Sequence, residues 1–348
     1  MIIDDNMHWL PEDLFSNKTL LEDFLMVVPR AYGEYAKLST IPETGKQQIV
    51  IEKPKGYENL NFGGDHLFRA EERLEIMEKA GINVAILRVP CWQEWLDLDL
   101  CKQVNTKMAQ DVKKYPKKFR GQGVVPPWGD KESLKELERC VKELGFCGME
   151  LAAHYGDLYL DEEEFRPFFK KVNELNVPIS VHHVPLPVSY QDLYKYTNQR
   201  RQYGRCVCQA TAIGRELFSE MFDEFPNVKL IHTMLGGAFY SYIDLMIPRK
   251  SGQKEEMERF DLKTEKVRGY LERNIFVETS MPTAWGKAQL ECAIRVLGAD
   301  HVLFGCSYPL RREWILNGVN CIKGLDISEK DKELVLGGNA MKLFNIKA

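Results

Sequence analysis

Three of the seven histidines in the chain are assigned to the carboxyl ends of short apolar runs of the kind that form buried β-strands. His8 follows the run at the start of the chain, His182 lies in PISVHH, and His232 lies in VKLIHT. The carboxyl ends of the strands of a closed parallel barrel form a single rim, so imidazoles at such ends converge. Neutral imidazole is a ligand for Zn, Mn or Fe and is also the commonest general base. These positions therefore predict a metal-binding or acid–base site at one rim.

Strand-like apolar runs alternate with segments of helical spacing along most of the chain. The strand-like runs lie at 2–7, 84–90, 121–127, 147–153, 178–183, 228–233, 274–280 and 301–309. Helical spacing is found at 65–79, 100–115, 131–144, 161–175, 211–224 and 284–297. The runs lack polar alternation, which is typical of a parallel sheet covered on both faces. They predict an α/β fold, a single-domain (β/α)8 TIM barrel over residues 1–348, although the count alone also suits a doubly wound sheet.

One segment, 12–62, does not fit the repeat. Within it, YAKLSTIPETGKQQIVIEKPKG predicts two strands around a Glu-Thr-Gly turn, that is, a small β-hairpin inserted after the first strand. The insertion falls between the first strand and its helix, at the end of a barrel where active sites lie. Its position suits a lid or substrate wall and suits a subunit contact equally well.

The composition excludes some classes of partner. The chain carries 47 basic and 51 acidic residues, a net charge of −4, which gives no electrostatic reason to expect binding to nucleic acid or to an anionic membrane. The beginning, MIIDDNMHWLP, lacks the pattern of a signal peptide. The nine cysteines are scattered without a CxxC motif and are expected to be free thiols. We expect a cytoplasmic protein with a small-molecule substrate.

The motifs resemble those of a known family. Asp4-Asp5-Asn6-Met7-His8 followed by Trp9-Leu10-Pro11 resembles the first-strand DxHxHxxP motif of the amidohydrolase-related family, and FPNVKLIHTMLGGAF and LGADHVLFGCSYP resemble later family segments. The resemblance covers nearly the whole chain outside 12–62. It is closest to the branch containing aminocarboxymuconate-semialdehyde decarboxylase and γ-resorcylate decarboxylase, with some hydrolases and hydratases. It implies a (β/α)8 barrel and a homodimer or homotetramer.

The resemblance also implies a ligand set. In that family one divalent metal is held by two first-strand histidines (the first is sometimes glutamate), a fifth-strand histidine and an aspartate ending the eighth strand. The sixth-strand histidine acts on substrate or water. By residue match, His8 and His182 are the expected metal ligands and His232 the expected acid or base. Two positions depart from the pattern: Asn6 replaces the first histidine, and Ser307, in GCSYP, replaces the aspartate of GxDYP.

These departures matter because a neutral amide or hydroxyl is a weak ligand for a transition metal. Three arrangements remain open: a weakly bound Zn, Mn or Fe ion on His8, His182 and water; a rebuilt site; or no metal. In the first arrangement Asp4 or Asp5 is a candidate further ligand, and in the rebuilt site Cys306 and His183 are the candidate substitute ligands. His183 should point away from the barrel interior by strand alternation. Asp4 also suits a supporting carboxylate that orients a histidine.

Further candidates lie near the predicted rim. Arg88, late in the second strand, suits bidentate binding of a substrate carboxylate, or an interstrand ion pair with Glu150 or Glu278. Four residues just past strand ends suit the wall of a pocket for a flat substrate, and suit ordinary loop packing equally: Trp92, Trp128, His154 and Tyr155.

The leading hypothesis is a non-oxidative decarboxylase, a carbon–carbon lyase acting on a small aromatic or unsaturated carboxylic acid. Decarboxylation requires no activated hydroxide, so Ser307 impairs it less than it impairs hydrolysis. One alternative is a metal-dependent hydrolase of a small ester, lactone or amide. Another is a non-catalytic subunit that pairs with an intact paralogue.

Overall fold

Eight parallel strands form a closed barrel. The computed structural model describes residues 1–27, 35–53, 56–59, 69–90, 93–184, 188–189, 193, 196, 198–247 and 264–347. The barrel strands are β1 (Ile3–His8), β2 (Val84–Arg88), β3 (Phe119–Val124), β4 (Gly148–Ala152), β5 (Ile179–His182), β6 (Leu230–His232), β7 (Ile275–Glu278) and β8 (Val302–Leu303). Each strand pairs with the next in parallel. The ring closes where the Asp5 amide donates to Phe304 O at 2.8 Å and the His8 amide donates to Tyr308 O at 2.8 Å. The predicted (β/α)8 barrel is confirmed.

A helix covers the barrel after each strand. These helices are α1 (Ala70–Ala80), α2 (Leu98–Lys114), α3 (Lys131–Lys142), α4 (Arg166–Leu175), α5 (Arg205–Phe218), α6 (Thr264–Asn274), α7 (Lys287–Leu297) and α8 (Arg312–Lys323). Local sequence sets their ends. Asp97 and Asp130 accept hydrogen bonds from the first-turn amides of α2 and α3, and α1 ends at Gly81 with φ of 72°. No helix among the described residues is long and apolar enough to cross a membrane.

The barrel interior changes from apolar to polar along its axis. At the end where the strands begin, an apolar cluster fills the interior, and the C-terminal segment seals it with Phe344 and Ile346. The strand residues of this cluster are Ile3, Val84, Ile86, Ile231 and Leu303. Toward the rim the strands instead bury polar and charged side chains: Asp5, Arg88, Gln122, Glu150, Ser180 and Glu278. The polar side chains therefore lie at the end where the candidate site was predicted.

The insertion after β1 carries its own small sheet. Strands Tyr35–Thr40, Gln47–Lys53 and Gly56–Asn59 pair in antiparallel order, after a helix at Lys18–Val27. The predicted two-strand hairpin is present, and a third strand extends it. The turn contains Gly45 at φ of 67°, a conformation that favours glycine.

Candidate active site

His8 and His182 lie side by side at the rim. Their ring centroids are 5.6 Å apart, and each residue is buried. Nδ1 of His182 lies 3.0 Å from the His183 carbonyl oxygen, which only accepts, so Nδ1 carries the proton and Nε2 has the lone pair. Burial, reinforced by the charge of Arg88, lowers the pKa of His182 to about 3. Burial and the neighbouring His182 hold the pKa of His8 well below its usual value. Both rings are neutral at pH 7, the form suited to a ligand or a base.

The two residues that depart from the family pattern meet each other. Nδ2 of Asn6 donates to Ser307 Oγ at 3.1 Å and to Glu278 Oε1 at 3.0 Å, with Ser280 Oγ further away at 3.4 Å. The amide oxygen of Asn6 is buried, and it accepts no hydrogen bond from the part of the chain that the structure describes. A hydrogen bond between neutral groups therefore connects the two positions where the family pattern has metal ligands.

Two of the four candidate additional ligands, Asp4 and Cys306, make other contacts. Oδ1 of Asp4 accepts the amides of Asn6 and Cys306, each at 3.0 Å, so this carboxyl joins β1 to the segment after β8. Burial raises the pKa of Asp4 to about 6. The Cys306 thiol faces α8, since a Cβ on Gly318 would lie 3.0 Å from its Sγ.

These donors do not fit a tight metal site. Within the described ranges, no group of three or more His, Cys, Asp or Glu residues is arranged to hold a metal ion. His8 and His182 supply two imidazoles, and the neighbouring positions supply an amide and a hydroxyl, which are weak transition-metal ligands. The set suits at most a loosely held divalent ion.

Arg88 forms the interstrand ion pair that was one of its two predicted roles. The fully buried side chain places Nε 3.4 Å from Glu150 Oε1 and Nη2 3.9 Å from Glu278 Oε1. Burial raises the pKa of Glu150 to about 7, and the guanidinium opposes that rise. Because Glu278 also accepts from Asn6, Arg88 supports the network beneath the rim.

His232 does not lie at the rim, which corrects its predicted position. Its Nδ1 lies 2.7 Å from Gln209 Oε1 and its Nε2 lies 2.8 Å from Glu216 Oε2, and both partners belong to α5. The preceding Ile231 belongs to the interior cluster, so strand alternation directs His232 outward, between the barrel and α5. With both ring nitrogens engaged by α5, His232 is not placed to exchange protons with a substrate at the rim.

A chain of hydrogen bonds leads from His232 back to the rim. Nε2 of Gln209 donates to the Val181 carbonyl and to Thr233 Oγ1, each at 2.9 Å, so its Oε1 must accept from His232 Nδ1. Thr233 Oγ1 also accepts the His183 amide at 3.2 Å and lies 3.3 Å from His183 Nδ1. The threonine hydroxyl therefore donates to Nδ1, which leaves the ring proton of neutral His183 on Nε2.

His183 lies at the rim rather than in the helix layer. Its ring centroid is 4.2 Å from that of His182. Strand β5 ends at His182, so the alternation rule that predicted an outward direction no longer applies one residue later. Arg205, the first residue of α5, was not predicted. Burial lowers the pKa values of His8, His182 and His183, and the positive charge of Arg205 is among the smaller causes that act in the same direction.

The predicted pocket aromatics pack mainly on one another. The Trp128 ring lies 6.1 Å from Tyr155 and 5.3 Å from Phe165, while the Tyr155 hydroxyl accepts the Ala152 amide at 3.2 Å. Nδ1 of His154 lies 2.9 Å from the Gly156 carbonyl. These contacts favour loop packing, although Trp128 remains half exposed. The fourth residue, Trp92, lies outside the described residues.

Glu94, in the loop after β2, is a further titratable group that the sequence did not reveal. Both carboxyl oxygens are buried, and no side chain or amide of another described residue forms a hydrogen bond with them. Burial raises the pKa of Glu94 to about 8, so the carboxyl holds its proton at pH 7.

Comparison with known proteins agrees with this architecture. The sequence profile of the amidohydrolase family matches residues 93–346. The γ-resorcylate decarboxylase of Polaromonas sp. is 29% identical over 293 residues, which cover 79% of this chain and 87% of that protein. The 2-amino-3-carboxymuconate-6-semialdehyde decarboxylase of Dictyostelium discoideum is 26% identical, covering 79% and 76%.

Solved structures show the same fold. The 5-carboxyvanillate decarboxylase of Sphingomonas paucimobilis has a TM-score of 0.69 and 25% identity, covering 79% of this chain and 83% of that one. A dihydroxybenzoic acid decarboxylase of Polaromonas sp., solved with bound manganese and the inhibitor 2-nitroresorcinol, has a TM-score of 0.75 and 23% identity, covering 100% and 98%.

Proposed function

The chain belongs to the amidohydrolase family, and on that premise we propose that it is a non-oxidative decarboxylase of a small aromatic or unsaturated carboxylic acid. The observation that carries the proposal is the similarity, over about four-fifths of the chain, to curated relatives named as decarboxylases of such acids. The rim adds two neutral imidazoles, of His8 and His182.

The reaction suits the groups that the rim provides. The bond between the carboxylate and the substrate carbon breaks, CO2 leaves, and the electron pair left on carbon takes a proton. This step needs a proton donor but no nucleophilic water, so a serine at position 307 does not remove a required base. Glu94 is a candidate donor, because its carboxyl is protonated at pH 7. We assign His8 and His182 to orienting the substrate through their ring nitrogens.

The chemistry proposed here does not depend on a tightly bound metal. When a divalent ion is bound at such a rim, it supplies positive charge that orients and polarises an acidic substrate. In this chain His8 and His182 are the residues that would contact a loosely held ion, while Oδ1 of Asp4 accepts two backbone amides.

One observation favours a second candidate, a non-catalytic subunit that pairs with an intact paralogue. The hydrogen bond between Asn6 and Ser307 shows that both departures from the ligand pattern are accommodated in one network. For the first candidate we propose a cytoplasmic homodimer or homotetramer. The 12–62 insertion then serves as a substrate wall or a subunit contact.

The test is CO2 release from a panel of hydroxybenzoates and unsaturated carboxylic acids, run beside a panel of esters, lactones and amides. We expect CO2 with the matching decarboxylated product, lost in His182→Gln and retained in His301→Gln. His301 is a matched control because its Nδ1 contacts the Ile275 carbonyl at the start of β7, far from the rim. Hydrolysis without CO2 release would overturn the proposal. Activity only in a complex with a paralogue would favour the second candidate.

A further inference from the structure

At its carboxyl end, the side of β5 that faces β6 is completed by side chains. The parallel pairing between the two strands ends at Val181. There, Nε2 of Gln209, a residue of α5, donates to the Val181 carbonyl at 2.9 Å. Oγ1 of Thr233, the residue after β6, accepts the His183 amide at 3.2 Å. Two side chains thus supply hydrogen bonds where the strand pairing stops.

The Val181 carbonyl fixes which way the Gln209 amide points. Because a carbonyl oxygen only accepts, the amide nitrogen of Gln209 must face it, and the second N–H donates to Thr233 Oγ1 at 2.9 Å. Oε1 of Gln209 then faces Nδ1 of His232 at 2.7 Å. The other nitrogen of that ring lies 2.8 Å from Glu216 Oε2. His232 and Glu216 therefore hold the amide in this orientation from the helix layer.

The Thr233 hydroxyl has a single proton, and its neighbours determine where that proton points. Oγ1 already accepts two hydrogen bonds, from Gln209 and from the His183 amide. Among the described residues its remaining partner is Nδ1 of His183, at 3.3 Å, so the hydroxyl donates to this nitrogen. Neutral His183 then carries its ring proton on Nε2. Thr233 therefore holds both the backbone and the ring of His183.

The peptide of His183 also controls the neighbouring ring. Nδ1 of His182 lies 3.0 Å from the His183 carbonyl oxygen and therefore carries the ring proton. The centroids of the two rings are 4.2 Å apart. Gln209 interrupts the hydrogen-bond chain as a path for protons, because an amide neither gains nor loses a proton near neutral pH. The chain is therefore suited to orienting the two histidines and not to conducting protons.

We propose that Thr233 is a positioning residue that sets the tautomers of His183 and His182. Its hydroxyl keeps the His183 ring proton on Nε2, and it holds the peptide whose carbonyl keeps the His182 proton on Nδ1. Gln209 supports Thr233 in this role. The importance for catalysis rests on the proposed decarboxylase function, in which His182 orients the substrate. Groups that orient such a histidine contribute roughly tenfold to a hundredfold to activity.

The test is nuclear magnetic resonance of isotope-labelled histidine, which shows which ring nitrogen carries the proton and needs no substrate. We expect the wild-type protein to carry the proton on Nε2 of His183 and on Nδ1 of His182. Thr233→Val should give a mixture of His183 tautomers and lower kcat for CO2 release by roughly tenfold to a hundredfold. Thr233→Ser, which keeps the hydroxyl, should restore both. Thr106→Val is the matched control, since the exposed Thr106 hydroxyl donates to the Lys102 carbonyl within α2.

A wild-type spectrum with the His183 proton on Nδ1 would overturn the proposal, and this result requires no variant to fold. Unchanged tautomers in folded Thr233→Val would overturn it too, as would an unchanged rate of CO2 release despite altered tautomers. The result is separable from the reaction. The expected tautomers without CO2 release from any acid would reject the decarboxylase alone, because the spectra test the Thr233 contacts directly.

Discussion

At the scale of single residues, Asn6 and Ser307 decide what the rim can bind. The two side chains occupy positions where the family resemblance implies metal ligands, and a hydrogen bond of 3.1 Å joins them. The departures were visible in the sequence because both fall inside recognisable motifs. Their contact with each other could not be predicted from the sequence, because the two residues are 301 positions apart. In the structure, the two departures from the ligand pattern are therefore joined by a hydrogen bond between neutral side chains.

Restoring both ligands should restore metal binding. Asn6→His combined with Ser307→Asp places an imidazole and a carboxylate beside His8 and His182, a donor set suited to Mn or Zn. We expect about one equivalent of metal after gel filtration, measured by plasma mass spectrometry, and much less in the wild type. The double variant Asn6→Ala with Ser307→Ala removes the same hydrogen bond without adding metal ligands, so it should retain no metal. A wild-type protein that already holds one full equivalent of metal would contradict the claim that Asn6 and Ser307 weaken the metal site.

Glu94 gives a prediction about pH that needs no substrate. Its pKa is raised by burial from 4.5 to about 8, so the folded protein binds this proton more tightly than the unfolded chain does. The stability that it contributes is complete below pH 4.5 and is lost as the pH rises through about 8. Glu94→Gln should therefore become more stable relative to wild type between pH 5 and pH 9, by at least about 1.4 kcal/mol, the equivalent of one pKa unit.

Denaturant unfolding at several pH values measures this difference. Glu329→Gln is the control, because Glu329 is exposed and its loss should not change the pH dependence. A constant difference between Glu94→Gln and wild type across the pH range would show that Glu94 is ionised at neutral pH and does not hold a proton for the reaction.

At the scale of elements, buried polar contacts join strands and helices that are far apart in the sequence. The apolar runs predicted the strands, and helical spacing predicted most helices to within a few residues. The segment 211–224 was predicted as one helix. In the structure α5 begins at Arg205 and ends at Phe218, and Glu220 adopts φ of 60° before a new short helix. Helical periodicity cannot detect such a break, because the apolar spacing continues across it.

His232 shows how an element directs a side chain. Its position at the end of β6 was predicted, but its direction toward the rim was inferred from the convergence of strand ends, without applying strand alternation from Ile231. His232→Gln should lower the free energy of unfolding by about 1–3 kcal/mol, because it disturbs a buried hydrogen-bonded pair. We expect kcat to fall less than tenfold, in contrast to a large fall for His182→Gln. A hundredfold loss of kcat in folded His232→Gln would reinstate it as the acid or base.

Arg88 links β2 to β4 and β7, and its loss should be structural. Arg88→Met leaves the buried Glu150 and Glu278 without a counterion, which should lower the free energy of unfolding by about 3–5 kcal/mol. Adding Glu150→Gln to this variant should recover part of the loss. Arg311→Met, at an exposed site, should change stability by less than about 0.5 kcal/mol. Weaker benzoate binding by a fully stable Arg88→Met protein would instead support carboxylate binding by Arg88.

At the scale of the whole molecule, the barrel was predictable and its binding properties were only partly so. Short apolar runs separated by amphipathic segments allow few architectures, and the family motifs select the closed barrel among them. Glu94 could not be identified from the sequence, because an isolated charged residue has no pattern. Its relevance depends on the burial of its carboxyl oxygens among described residues that offer them no hydrogen bond, which only the packed molecule reveals.

The central claim is that this barrel decarboxylates a small acid without relying on a tightly held metal. The most direct measurement is CO2 release from the best acid of the panel, by protein dialysed against a chelator and analysed for metal content. The account predicts CO2 release at a rate unchanged by chelation and with metal well below one equivalent. Activity that disappears with the metal and returns with one equivalent of Mn²⁺, or the absence of CO2 from every acid, would contradict it.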